Sequence, residues 1–332
     1  MKAFIIAGGF GTRMRPLTDA VPKSLLPVLN KPFLEHQLEQ LAAVDVTETY
    51  LLTGYLAEDF ATFAKHMKTR GITVHVSTEE TPLDTAGAVR QVLDTMDGTA
   101  LVLNGDAVIA GLDWRAAIDA HTASGAAATL VLVHLDDATG YGLVRYDEES
   151  WVTEFTQLSM NDTDSRGWIN AGNYVLEPRA LAHVPADTRW SFEKQVFPEL
   201  AKAHELRAHP SDGFWLDFGT PQRYLEGHFD VLSGRARLNV EGELLTESKR
   251  FEDGTALEAP VLLSHAPVGK GAMLGPLTTL GPRAKVGAGA RIERSVIHED
   301  AVIGEGAVVR GSIIGRGAEV NAGTELTDTV IA

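Results

Sequence analysis

The sequence of 332 residues contains no cysteine. That absence excludes disulfide cross-links, thiolate metal sites and a cysteine nucleophile, and it removes any demand for an oxidising compartment. Basic residues are also scarce, with 29 Lys and Arg against 45 Asp and Glu and a formal net charge of −16. Nucleic-acid backbones are gripped by clustered cations, so no nucleic-acid partner is expected, and any phosphate must be bound locally. Long apolar runs are missing as well. The run at residues 3–7 is too short for a secretion signal, and the longest later one, at 126–133, falls far below bilayer-spanning length. These readings predict no membrane partner and a cytoplasmic location. What is present suits a folded protein of two domains, because 44% of the residues are hydrophobic and the chain is too long for one ordinary core.

From residue 2 to about 113, short apolar runs at 3–7, 49–53, 72–77 and 100–103 alternate with helical patterns at 34–44, 57–68 and 86–96. This rhythm predicts an α/β fold with a mostly parallel sheet covered on both faces. More closely spaced strands follow at 129–135, 142–146, 151–155 and 169–176, then helical segments at 193–203 and 221–232. The first domain is expected over 1–234, a linker over 235–260 and a second domain over 261–332.

In that last part aliphatic residues recur six apart: Leu280, Val286, Ile292; Ile297, Ile303, Val309; Ile314, Val320, Leu326; and Ile331. Each group begins 17 residues after the last, with one five-residue step. Neither a helix nor an ordinary strand produces a period of six. A left-handed parallel β-helix does, since each hexad forms one flat face of a triangular coil, and about four coils are expected. Glycine-rich linkers lack such phased aliphatics. An open β-helix end also predicts self-association into a homo-oligomer.

The chemistry is concentrated at residues 8–23. Ala7, Gly8, Gly9, Gly11, Thr12 and Arg13 follow the first predicted strand, at the carboxyl edge where open α/β sheets bind ligands. Glycines let a main chain approach a phosphate and turn its N–H groups inward, Arg13 supplies a bidentate fork, and Lys23 adds a point charge. Neither a dinucleotide fingerprint, which would need glycine at Met14, nor a P-loop ending in Gly-Lys-Ser/Thr is present.

The string Gly8-Gly9-x-Gly11-Thr12-Arg13-x-x-Pro16-Leu17-Thr18, continued by Pro22-Lys23-x-x-x-Pro27-Val28 and Lys31-Pro32, resembles the sugar-1-phosphate nucleotidyltransferases. Phe10 is most similar to their mannose-1-phosphate guanylyltransferase branch. The resemblance spans essentially the whole chain and implies a Rossmann-like, GT-A-like mixed sheet; many long members also carry a C-terminal hexapeptide-repeat β-helix. It assigns the glycine loop to the triphosphate and base, and Arg13 and Lys23 to catalysis. Asn104-Gly105-Asp106 and Trp215-Leu216-Asp217 resemble the motifs that supply two carboxylates, so Asp106 and Asp217 are the implied Mg²⁺ ligands, with Asp106 also at the nucleotide. A hard cation held by two carboxylates and substrate phosphates is chemically sensible. The implied reaction is in-line attack by a sugar-1-phosphate oxygen on the α-phosphorus of a nucleoside triphosphate, with pyrophosphate leaving.

In the family the base is read just before a helix start, which here is residues 79–87. Glu79 falls where relatives that use pyrimidine nucleotides often carry Gln, and Gly87 closes the motif. A carboxylate can accept from both guanine N1–H and the 2-amino group, which favours GTP; a solvated loop carboxylate is the plain alternative. Gly142, Gln157 and Asn170 match positions that line the acceptor. Two departures stand out. Asp84 replaces a common glycine, and Leu158 stands where the family's acceptor-phosphate lysine is expected, with Arg166 a candidate substitute. The acceptor is therefore a sugar-1-phosphate or a sugar-like cyclitol phosphate. Two rival functions remain: a non-catalytic, regulatory nucleotide-sugar-binding relative, and a hexapeptide acyltransferase using His298, the one histidine in the phased coils.

Overall fold

A computed structural model describes residues 1–157 and 166–332, the side chains of Thr156 and Gln157 excepted. The chain divides into two compact units, one of Met1–Gly9 and Gln37–Trp215, the other of Phe10–His36 and Leu216–Ala332.

The first unit is built on a mixed sheet of nine strands among the described residues. Lys2–Ile6 lies between Glu48–Thr53 and Ala100–Asn104, parallel to both, and Val74–Thr78 extends the parallel side. Gly167–Leu176 then runs antiparallel to Ala100–Asn104 and to Ala128–Leu135. The central strands are apolar without alternation because both faces are covered: Ala3, Phe4, Ile5, Leu101 and Val102 have no exposed surface. A fully buried aliphatic or aromatic side chain of this kind contributes about 1.5–3 kcal/mol. The register aligns Ile6 with both Leu52 and Asn104, so the loops after these strands leave at one carboxyl edge. Glycine loop and Asn104 turn are thereby brought to the same side.

The helices Phe33–Ala42 and Ala57–Thr69 fall where the periodicity places them. The third, Asp84–Gln91, is shorter than the pattern over 86–96, which tightens into a 3₁₀ turn at Leu93–Thr95 where Thr95 Oγ1 donates to Val92 O. The pattern at 193–203 likewise opens as a π-turn at Phe192–Val196 before the helix Phe197–Lys202, with Pro198 in its first turn.

The second unit contains a hairpin, Pro27–Val28 with Lys31–Pro32, the helix Pro221–Leu232 and a β-helix. The β-helix consists of three sheets whose ladders pair residues 17 apart in most coils, as in Val296 with Ile313, Arg291 with Val308 and Val302 with Glu319, and 18 apart where Met273 faces Arg291. The phased aliphatics Leu280, Ile297 and Ile314, Ile292 and Val309, and Val286, Ile303 and Val320 form its buried columns. The period has a backbone cause. Left-handed residues sit at Leu277, Arg283 and Gly289, then Arg294, Asp300 and Gly306, then Gly311, Gly317 and Gly323, turning the chain after six, six and five residues. At the five-residue step a hydroxyl column takes over, with Ser312 N donating to Ser295 Oγ and Thr329 N to Ser312 Oγ. Residues 235–260, read as a linker, include the strands Glu243–Leu245 and Lys249–Arg250, which pair antiparallel with Val261–Leu263 and Ala256–Leu257.

Candidate active site

In the first unit Ala7 is buried, and its N–H donates to Leu52 O at 2.8 Å, continuing the sheet into the loop. A Cβ at Gly8 would lie 2.7 Å from Glu79 Oε1, so any side chain there would displace that carboxylate. Glu79 is thus pressed against the glycine loop, and its other oxygen accepts from Leu83 N–H at 2.6 Å. Burial pushes its carboxyl above the usual carboxylate range, partly offset by that backbone hydrogen bond. Gly9 has open space around it.

Gly87 N–H, with Ala86 N–H, donates to Trp190 O, so its backbone is engaged by residues 188–190. Asp84, in place of a family glycine, keeps a left-handed conformation at φ 63°, which Asp tolerates better than most residues. Its carboxylate accepts from Thr85 N–H and pairs with Arg189.

Asp106 ends a turn that is pinned from beneath. Gln37 Nε2 donates to Asn104 O at 2.8 Å and to Ala107 O at 2.9 Å, and Gly105 N–H donates to Ile6 O. Gln37 is fully buried, as are Glu35 and His36 before it on the same helix; sequence patterning missed it, since its partners lie far away in the chain. Asn170 accepts from Gly172 N–H and donates to Tyr174 OH. The Tyr174 hydroxyl donates in turn to Glu193, whose other oxygen accepts from Thr85 and Ser191. Glu193 is a second residue the sequence reading did not single out. Gly142 opens its strand, exposed, and pairs with Gln157. The Gln157 side chain and Leu158 lie outside the described residues. Arg166 is exposed and, with Arg145, Tyr146 and Trp168, lines an open hollow.

In the second unit Gly11 takes φ 60°, and a Cβ there would lie 3.0 Å from both Lys23 Cβ and Thr18 Cγ2. The glycine thus lets the Lys23 turn close onto the loop, and Thr18 Oγ1 fixes it by donating to Gly11 O. Thr12–Met14 forms a 3₁₀ turn that leaves Thr12 and Arg13 exposed. Arg13 and Asp217 flank Gly219, where a Cβ would lie 3.3 Å from Arg13 Nη2 and 2.8 Å from Asp217 Oδ1. Asp217 Oδ2 is paired with Arg223 Nη1 at 2.5 Å, a partner absent from the sequence reading. His298 is buried, with Nε2 engaged by Tyr224. Among the described residues no three His, Asp or Glu side chains gather as a metal cage, so a cation here would complete its coordination with phosphate and water oxygens.

A mixed Rossmann-like sheet with a glycine loop after its first strand, followed later in the chain by a parallel β-helix, is the architecture of a nucleotidyltransferase. The family model "Nucleotidyl transferase" matches residues 2–234 and the model "GMPPB C-terminal domain" matches residues 257–332. Relatives include a probable mannose-1-phosphate guanylyltransferase 2 of Oryza sativa subsp. japonica, 35% identical across 83% of this chain and 75% of the relative. The mannose-1-phosphate guanylyltransferase of Mycobacterium tuberculosis is 35% identical across 84% of this chain and 77% of its own. Among solved structures, HddC from Yersinia pseudotuberculosis superposes with a TM-score of 0.59 at 25% identity, over 68% of this chain and 97% of that one. The chain belongs to the nucleotidyltransferase family that includes the mannose-1-phosphate guanylyltransferases, and it is a nucleotidyltransferase.

Proposed function

We propose that the protein transfers GMP from GTP to a sugar 1-phosphate, with mannose 1-phosphate and a sugar-like cyclitol phosphate as the two acceptor classes to separate. The observation that carries the choice of GTP is Glu79, held against Gly8 with its second oxygen anchored by Leu83 N–H. A carboxylate fixed beside the phosphate loop suits guanine's two adjacent donors, which uracil and thymine do not offer. The names of the relatives, which specify guanylyl transfer to mannose 1-phosphate, support the same reading.

The acceptor's phosphate oxygen attacks the α-phosphorus of GTP, the bond to the β,γ-pyrophosphate breaks, and pyrophosphate leaves with its charge. The attacking oxygen is already ionised, so no general base is needed, and the protein's work is positioning and charge neutralisation. Arg13 stabilises the leaving pyrophosphate, and Lys23 neutralises charge on the reacting phosphates. Asp106 and Asp217 suit a Mg²⁺ ion, which when bound supplies charge neutralisation at the phosphates. Gln37 holds the turn of Asp106, and Arg223 holds the carboxylate of Asp217. Asn170 and Gly142 line the acceptor.

The test is pyrophosphate release from four nucleoside triphosphates crossed with mannose 1-phosphate, glucose 1-phosphate and a cyclitol phosphate. GTP is expected to lead. Equal turnover of mannose and cyclitol phosphates removes the motive for a cyclitol acceptor, and no release with any acceptor overturns the enzymatic reading.

A further inference from the structure

The hairpin that follows Lys23 adopts a conformation its sequence does not favour. Its two strands are joined by Leu29 and Asn30, both with left-handed backbone angles, φ 52° and 70°. Two-residue turns of that kind normally carry Asn-Gly or Asp-Gly, because a branched side chain crowds its own backbone there. A strained turn persists only where its surroundings fix it. Here they do so group by group. Leu29 N–H donates to His228 Nε2 at 3.1 Å, and Leu29 O accepts from Glu241 N–H at 3.1 Å. Asn30 Nδ2 donates to Glu241 O at 3.1 Å and, within the β-helix, to Leu280 O at 3.0 Å. Pro27 O accepts from the Tyr224 hydroxyl, and the same hydroxyl meets His298 Nε2 at 2.9 Å.

The protons in this network can be placed by elimination. A carbonyl only accepts, so the one hydroxyl proton of Tyr224 goes to Pro27 O, and His298 Nε2 must donate to the Tyr224 oxygen. At His228 the order is reversed, since Nε2 accepts from Leu29 and Nδ1 therefore donates to Tyr224 O at 2.8 Å. Both imidazoles are neutral, in opposite tautomers.

The hairpin is continuous with the catalytic turn. The 3₁₀ turn Lys23–Leu25 closes with Leu26 N–H on Lys23 O, and Phe33 N–H returns to Leu26 O. Leu25, Leu26 and Pro27 line a cavity of about 410 Å³ together with Gly281, Pro282 and Gly315 of the β-helix. Hydrogen bonds bridge its edge.

We propose that Tyr224, His228 and His298 are positioning residues for nucleotidyl transfer: they tie the Pro27–Leu29 backbone to the helix Pro221–Leu232 and the β-helix, and thereby set where Lys23 stands. The proposal rests on Lys23 acting at the reacting phosphates. The β-helix then takes part in catalysis without touching substrate.

The test uses the full-length chain with GTP and whichever 1-phosphate of the panel turns over fastest. Tyr224→Phe and His298→Leu should each lower kcat about tenfold or more while KM for GTP stays within about threefold, as expected when a reacting group is displaced but binding remains. His298→Gln, whose amide donates from nearly the same place, should restore kcat to within about threefold of the parent. Ile303→Val thins another buried column of the β-helix, with no bond to the hairpin, and should leave kcat unchanged. In a Lys23→Met background Tyr224→Phe should have no further effect. Unchanged kcat in Tyr224→Phe and His298→Leu, an equal loss in Ile303→Val, or a full effect of Tyr224→Phe in the Lys23→Met background overturns the proposal. Undiminished kcat in Lys23→Met alone instead overturns the catalytic reading beneath it.

Discussion

Two buried histidines give the molecule an acid sensitivity that its composition does not suggest. Burial pushes the imidazole of His228 down to about 4 and, with the neighbouring His228 adding to the effect, that of His298 down to about 3. In the unfolded chain both titrate near 6.5. Below about 6.5 the unfolded chain takes up protons that the folded chain refuses, so stability falls with pH at up to about 1.4 kcal/mol per unit for each histidine. This contribution is complete above that value and is lost on descending towards 4. Thermal melts at pH 7.5 and 5.0 should therefore separate clearly, and His298→Gln should narrow the separation. Glu79 is exposed to a different test. Glu79→Gln exchanges one acceptor for a donor, so kcat/KM for GTP should fall about 10- to 100-fold and the preference over UTP should shrink. An unchanged preference in steady-state pyrophosphate release would leave Glu79 as no more than an anchor for Leu83. Glu79 was singled out in the sequence by its spacing from Ala86, in a segment that resembles the family's base-reading loop, and the fold sets it against Gly8. Gln37 and Arg223 were not, because a polar residue on a helix reads as solvated surface until its distant partners are known.

Among the elements, the β-helix was the most legible part of the chain and the hairpin at 27–32 the least. A period of six with one step of five has a single mechanical source, a left-handed residue at each corner, and the sequence writes that source as repeated Gly, Asp and Arg. The hairpin carries no such mark, since Leu-Asn is not a turn signal and its conformation is imposed by Tyr224, His228, Glu241 and Leu280. Two glycines six atoms of backbone apart in role separate the forces at work in a coil. At Gly306 a Cβ meets nothing, so Gly306→Ala should cost only the left-handed strain at φ 65°, about 1–2 kcal/mol. At Gly304 a Cβ would lie 2.4 Å from Ala322 N, and Gly304→Ala should cost more, about 3 kcal/mol, because backbone cannot give way as a side chain does. Urea unfolding of the two variants checks the order, and a Gly304→Ala variant as stable as the parent would refute the close approach of adjacent coils.

At the scale of the whole molecule, the boundaries of sequence similarity and of physical dependence differ. The nucleotidyl transferase match ends at residue 234, yet the hairpin after Lys23 leans on Glu241, Leu280 and Tyr224, the last of these bonded to His298. A chain stopped after Gly234 keeps every residue assigned to catalysis and loses three of those supports. Its kcat should fall about tenfold or more even where circular dichroism shows the sheet retained, and full activity in the truncated chain would show that the supports are dispensable. That dependence was invisible in the sequence because the supporting groups include backbone carbonyls, which carry no residue signature. The ladder spacing of 17 residues carries one more implication. Removing residues 300–316 would rejoin the chain in register and shorten the column by one strand spacing, about 4.8 Å. The 18-residue step from Met273 to Arg291 shows that a single extra residue is absorbed where later coils take their five-residue step, so insertions and deletions among relatives should be whole coils or single residues at that side.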